Sequence, residues 1–170
     1  MNAFLEEFET TVRRAADQLS TRGDDWAREP LRPGAWSPLE VIGHLVDSAS
    51  NNHQRFVRAM FRDDLLAPGY DQDDWVGAQA YAESDWKATL TLWSSFNLHL
   101  VHVIRRMSEE TLNKTRSEHD LEHIAWETVP TEEPVTLAYF VRDYYGHLCH
   151  HLRQIDPELA PEPTLQRTSG

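Results

Sequence analysis

The sequence predicts an all-α fold, a bundle of four helices joined by long connections, and three observations carry that expectation. Apolar residues recur every three or four positions along four long stretches, no stretch shows a convincing two-residue strand period, and no segment repeats. The 170 residues are 40% hydrophobic and include six tryptophans, enough for one core but too few for two separate helical hairpins. A single domain over residues 1–157 is therefore expected, followed by a polar, proline-rich, flexible tail over 158–170.

The first helix is drawn by Phe4, Phe8, Val12, Ala15 and Leu19 and ends near Gly23. Pro30, Pro33 and Gly34 then mark a loop over 24–35. The second helix has the clearest start: Ser37 as N-cap, Pro38 in the first turn, Glu40 to complete a capping box, and Trp36 placed to staple onto Val41. Its period runs to about Phe61, and the polar residues 62–83 read as a long connection with one short helix. The third helix starts near Ser84 or Asp85 and runs through Trp86, Trp93, Leu100 and Met107. Residues 112–133 lose the period and read as a second long connection with a short extended piece. The last helix opens around 134–136 and runs to about Ile155.

Composition narrows the function. A formal charge of −12 and 16 scattered Lys and Arg residues argue against nucleic-acid binding. No apolar run approaches the roughly 20 residues of a membrane span, and the N-terminus lacks the build of a signal peptide, so a cytoplasmic protein is expected. The lone Cys149 excludes an internal disulfide and a multi-thiolate metal site, which leaves nine histidines as the notable inventory.

The densest group lies in YYGHLCHHLRQI, where His147 and His151 stand four residues apart on one helix face with Phe140 and Tyr144. Two imidazoles so spaced can share one ion at about 2.0–2.1 Å. His150 points elsewhere, and so does Cys149, which is not expected to act as a nucleophile. His44, one turn into the second helix, is a third candidate; taken singly, it reads as a packed or hydrogen-bonded histidine rather than a ligand. His53 is expected to be packed, His99 and His102 structural or exposed, and His119 and His123 solvated in their acidic connection.

The segments GAWSPLEVIGHLVDS, QRF, YDQDDW and GHLCHHLRQI together resemble the DinB superfamily, more closely its YfiT-like branch of metal-dependent hydrolases and thiol transferases, over about Gly34 to Ile155. The resemblance implies a four-helix bundle and one divalent ion held by His44, His147 and His151, with His150 outside the ligand set. It also places Arg55 and Trp75 at family-like pocket positions, with salt bridging and core packing as their ordinary alternatives. Asp47, three residues after His44, is a candidate to orient an imidazole or accept a proton, or else a surface carboxylate.

Three imidazoles leave a divalent ion at least one open position, which suits catalysis. The expected ion is zinc or nickel, with iron or manganese as further options. The expected reaction is hydrolysis of a small molecule or transfer of a low-molecular-weight thiol to an electrophile. The alternative is a non-enzymatic stress-response protein that dimerises and keeps the metal as a structural cross-link. A homodimer is expected in either case.

Overall fold

The computed structural model describes residues 1–163. In chain order the helices are α1 (Asn2–Ser20), α2 (Asp24–Arg28), α3 (Pro38–Ala59), α4 (Gln72–Ala78), α5 (Trp86–Arg105), α6 (Glu109–Asn113), α7 (Leu121–Ile124) and α8 (Leu137–Ile155). Two short strands, β1 (Thr115–Arg116) and β2 (Val135–Thr136), pair antiparallel.

The long helices begin where side chains can satisfy their first free amides. Ser37 accepts from the Glu40 amide while the Glu40 carboxylate accepts from the Ser37 N–H at 2.8 Å, so the expected capping box starts α3. Asp85 caps α5 by accepting from Ala88, and Thr136 caps α8 by accepting from Tyr139.

Four helices, α1, α3, α5 and α8, bury their apolar faces in one continuous core. α3 packs against both α5 and α8, and α1 packs against α5. Phe4 and Phe8 of α1 close the ring against Tyr145 of α8 at centroid distances of 5.3 and 4.9 Å. Around the bundle the order is thus α1, α5, α3, α8, which makes α3 and α8 neighbours despite the long chain between them. Phe56 holds that pair together, meeting Phe140 at 5.5 Å and Tyr144 at 5.8 Å, both edge to face. Burying a ring of this size contributes about 1.5–3 kcal/mol.

The connections carry more structure than their sequence signals suggest. The 24–35 loop contains α2, and residues 112–133 hold the end of α6 together with β1 and α7. A two-residue ladder is too short to leave a period in the sequence, so β2 escapes pattern reading. The segment after α8 is packed rather than flexible over its first residues: Leu159 and Ala160 are buried, and Arg153 donates to the carbonyls of Pro157 and Ala160. The remainder of the expected tail, 164–170, lies outside the described residues. No described helix is long and apolar enough to cross a membrane.

Candidate metal centre

The neighbouring placement of α3 and α8 brings His44 onto the HxxxH face of the last helix. One ligand nitrogen from each of His44, His147 and His151 lies within 4.8 Å of the others. The two Nε2 atoms of His44 and His147 are 3.2 Å apart. Two nitrogens about 2.0–2.1 Å from a tetrahedral ion stand about 3.3 Å apart, so the separation fits a shared divalent cation. The ring centroids of His151 lie 4.6 Å from His44 and 4.5 Å from His147.

Outer contacts choose which nitrogen each ring offers. Gln154 Oε1 lies 2.9 Å from His151 Nδ1, and Ser48 Oγ lies 3.4 Å from His147 Nδ1. With Nδ1 donating to these oxygens, Nε2 keeps the lone pair a metal needs. His44 Nδ1 is buried without a partner among the described residues.

Burial also sets the charge state. Desolvation, followed by the repulsion of His151, pushes the His44 pKa down to about 3. Desolvation lowers His151 to about 4 against the opposing Gln154 bond. Desolvation drives His147 well below the ordinary imidazole value, with its histidine neighbours acting in the same sense. All three are neutral at pH 7, as ligands must be.

The triad sits between two clefts. One, of about 370 Å³, is lined by His44, Ser48, Asn52 and Arg55 along α3, with Tyr70 and His147 among the facing residues. The other, of about 440 Å³, lies on the side of His151, Gln154 and Trp36, and Gln72 borders both. The Trp36 ring, whose sequence position suggested a staple on Val41, lies 5.2 Å from His44 and stacks at 28° on His151. An indole there covers the backs of two ligand rings and excludes water from them.

Other sequence candidates fall in different places. Asp47 is buried, but it makes no hydrogen bond to an imidazole; its Oδ1 accepts from Gln79 at 2.8 Å and Tyr81 at 2.9 Å. It therefore ties the 72–83 connection to α3. Gly43 makes this tie possible, because any Cβ there would overlap the Tyr81 ring. Trp75 lines neither cleft; it is 38% exposed and packs on Tyr70 at 4.7 Å. Arg55 does line the first cleft. His150 stays outside the triad, between Gln154 and the Trp126 ring, and Cys149 is buried in the core. His119, expected to be solvated, is instead buried, with Nε2 placed 2.8 Å from the Glu133 carbonyl, because the β1–β2 region folds back over its connection. His123 is exposed at the rim of the first cleft.

The structure adds residues that pattern reading missed. Asp143, one turn before His147, lines the first cleft and accepts the amides of Trp126 and Glu127 at 2.9 and 2.8 Å, which holds the 125–127 wall in place. Burial raises its pKa to about 6 in spite of those two bonds. Its i−4 relation to His147 was the available signal. Tyr70 and the orienting Gln154 had less: the former lies in an aperiodic connection, and the latter is an ordinary surface residue type.

A family model matches residues 5–155 of this chain. The chain belongs to the DinB superfamily. Among curated relatives, it is 23% identical over 115 residues to a candidate metal-dependent hydrolase of Oceanobacillus iheyensis, covering 68% of this chain and 66% of that protein, just under two thirds. It is 22% identical over 151 residues to YfiT of Bacillus subtilis, also a candidate metal-dependent hydrolase, covering 89% of this chain and 78% of YfiT. The solved structure of Bacillus subtilis YfiT, a four-helix bundle of unusual topology, superposes with a TM-score of 0.74 at 21% identity over 93% of this chain and 84% of that one. The likeness to YfiT extends to the bundle fold.

Proposed function

We propose that this DinB protein is a metal-dependent enzyme that acts on a small molecule at His44, His147 and His151, by hydrolysis or by transfer of a low-molecular-weight thiol to an electrophile. The observation that carries this reading is the convergence of three neutral imidazoles, within 4.8 Å, beside a cleft. The relatives described as candidate metal-dependent hydrolases support the same reading. Zinc or nickel is the expected ion, since imidazole suits both. A divalent ion there supplies Lewis acidity, which brings the pKa of a bound water toward about 7 or keeps a thiol ionised.

The chain's own residues do the rest. Ser48 and Gln154 orient two of the rings, Trp36 keeps water from their backs, and Asn52 and Tyr70 present polar groups along the cleft. The second cleft favours thiol transfer over hydrolysis, because transfer brings two organic substrates to one centre and water needs no cleft of its own. A purely structural metal would ask for a fourth protein ligand. None joins the triad among the described Cys, Asp and Glu residues.

The test is elemental analysis of tag-free protein beside its His44→Ala variant, followed by ester hydrolysis and thiol-conjugation assays on the metal-loaded form. Near one ion per chain in the parent and little in the variant is expected. No metal in either after reconstitution would overturn the reading.

A further inference from the structure

We propose that Arg55 anchors a carboxylate of the substrate at the end of the first cleft away from the histidines, so that the cleft takes an extended, acidic, tripeptide-sized molecule. This rests on the metal-dependent reading only for the ligand's other end. Arg55 follows His44, Ser48 and Asn52 along α3 at steps of four, four and three, on one face of the helix, and all four line the same cleft.

The case turns on unmet bonding capacity. Arg55 is only 7% exposed, and a guanidinium carries five N–H donors that need acceptors when removed from water. It has one good bond, to the Pro68 carbonyl at 2.8 Å, and one at the outer limit, to Asn52 Oδ1 at 3.5 Å. Among the described residues no carboxylate forms an ion pair with it. Asp120, whose charge reaches it, accepts instead from the Ala67 amide.

Arg116 shows what a structural arginine looks like in the same fold. It is 2% exposed, and its two terminal nitrogens donate to the carbonyls of Ala59, Thr111 and Lys114, which clamps the end of α3 to α6 and β1 and leaves only its buried Nε without a partner among the described residues. Arg55 lacks such a cage of carbonyls: none of its nitrogens is a buried orphan, and it lines a cavity to which its unpaired N–H groups are open. A fork of donors in that position matches a carboxylate. A dianionic phosphate is disfavoured, since Asp71 and Asp143 line the same cleft.

Geometry sets the ligand's length. The eleven-residue step from His44 to Arg55 rises about 16 Å along the helix axis. A tripeptide, about 10 Å when extended, covers it once the two side chains and the ion fill the remainder. The cleft volume of about 370 Å³ accommodates such a molecule.

The experiment is isothermal titration calorimetry on the metal-loaded protein with glutathione, S-methylglutathione and glutathione diethyl ester. The parent is expected to bind both acids at least about tenfold more tightly than the diester, the worth of one charge-assisted bond. Arg55→Met should bring that preference to within about twofold while retaining metal and helix content, and Arg55→Lys should fall between. If Arg55→Met does not fold, the parent's own Arg55 Nε–Hε NMR signal, assigned through Arg55→Lys, must shift with S-methylglutathione and not with the diester. Equal affinity for acid and diester, a preference that survives in Arg55→Met, an unmoved Arg55 signal, or no binding of any probe would each overturn the proposal. S-methylglutathione has no thiol to offer an ion, so its binding reports on Arg55 even if the metal-dependent reading fails.

Discussion

Two histidine groups in this chain look alike in sequence and differ in everything that chemistry needs. His44, His147 and His151 come from two neighbouring helices and bring ligand nitrogens together, with Trp36 over His44 and His151 and the charged forms of all three suppressed by burial. His53, His99 and His102 also join two packed helices, α3 and α5, with His53 and His99 rings 5.3 Å apart and His99 and His102 rings 6.3 Å apart. Yet His99 and His102 are exposed, and the three do not bring ligand atoms within 4.8 Å. Proximity of imidazoles is common; converging lone pairs in a dry, oriented setting is what separates a ligand set from a surface cluster.

The sharpest way to break the contrast is to loosen the helix pair that creates it. Phe56→Ala removes the ring between α3 and α8 and is expected to cost about 3–5 kcal/mol in urea unfolding, with weakened metal binding in the protein that remains folded. Unchanged stability would mean that α3 and α8 are held by other contacts. Next, His147→Ala should reduce metal affinity by more than the roughly 10–100-fold typical of outer-shell changes, while helix content by circular dichroism is kept. Metal retained at parental affinity would remove His147 from the ligand set.

Acid sets the triad and Asp143 against each other by sign. In the metal-free protein the triad is neutral, with His44 held near 3 and His151 near 4, while the unfolded chain takes up protons below about 6.5. The triad's stability contribution is therefore complete above about 6.5 and is lost as pH falls through that value toward 4 and 3. Asp143 acts oppositely: with its folded pKa raised to about 6 from 3.8, it favours the fold as pH drops through that window. Three imidazoles outweigh one carboxyl, so the melting temperature should fall between pH 7 and 5. The His44→Gln, His147→Gln, His151→Gln triple variant should flatten that slope, and an unchanged slope would locate the proton uptake elsewhere. A smaller effect is expected from Gln154→Ala, about tenfold in metal affinity, through loss of the bond that orients His151. Smallest of all, His99→Ala should leave metal content and affinity as they are, and a loss there would place a binding site on the exposed group.

Much of this was legible before any coordinate. The capping box at Ser37, the apolar stripes and the HxxxH spacing are local and periodic, so they survive in one dimension. The resemblance to the DinB superfamily then singled out His44 from a chain with nine histidines. Asp47 misled for a physical reason: a carboxylate three residues from a ligand shares its helix side, but Gln79 and Tyr81 arrive from a connection whose path has no periodic signal. Trp75 and His119 went astray in the same way, since loops decide which side chains they cover.

The sequence by itself determined the four long helices, the capping box at Ser37 and the pairing of His147 with His151, because each follows from interactions within about four residues. Only the tertiary structure decided that α8 lies beside α3, that Trp36 closes one side of the triad, and that Arg55 faces a cleft while Arg116 is caged in carbonyls. Those outcomes depend on contacts between residues far apart in the chain, where no local spacing rule applies and packing of the whole bundle sets the answer.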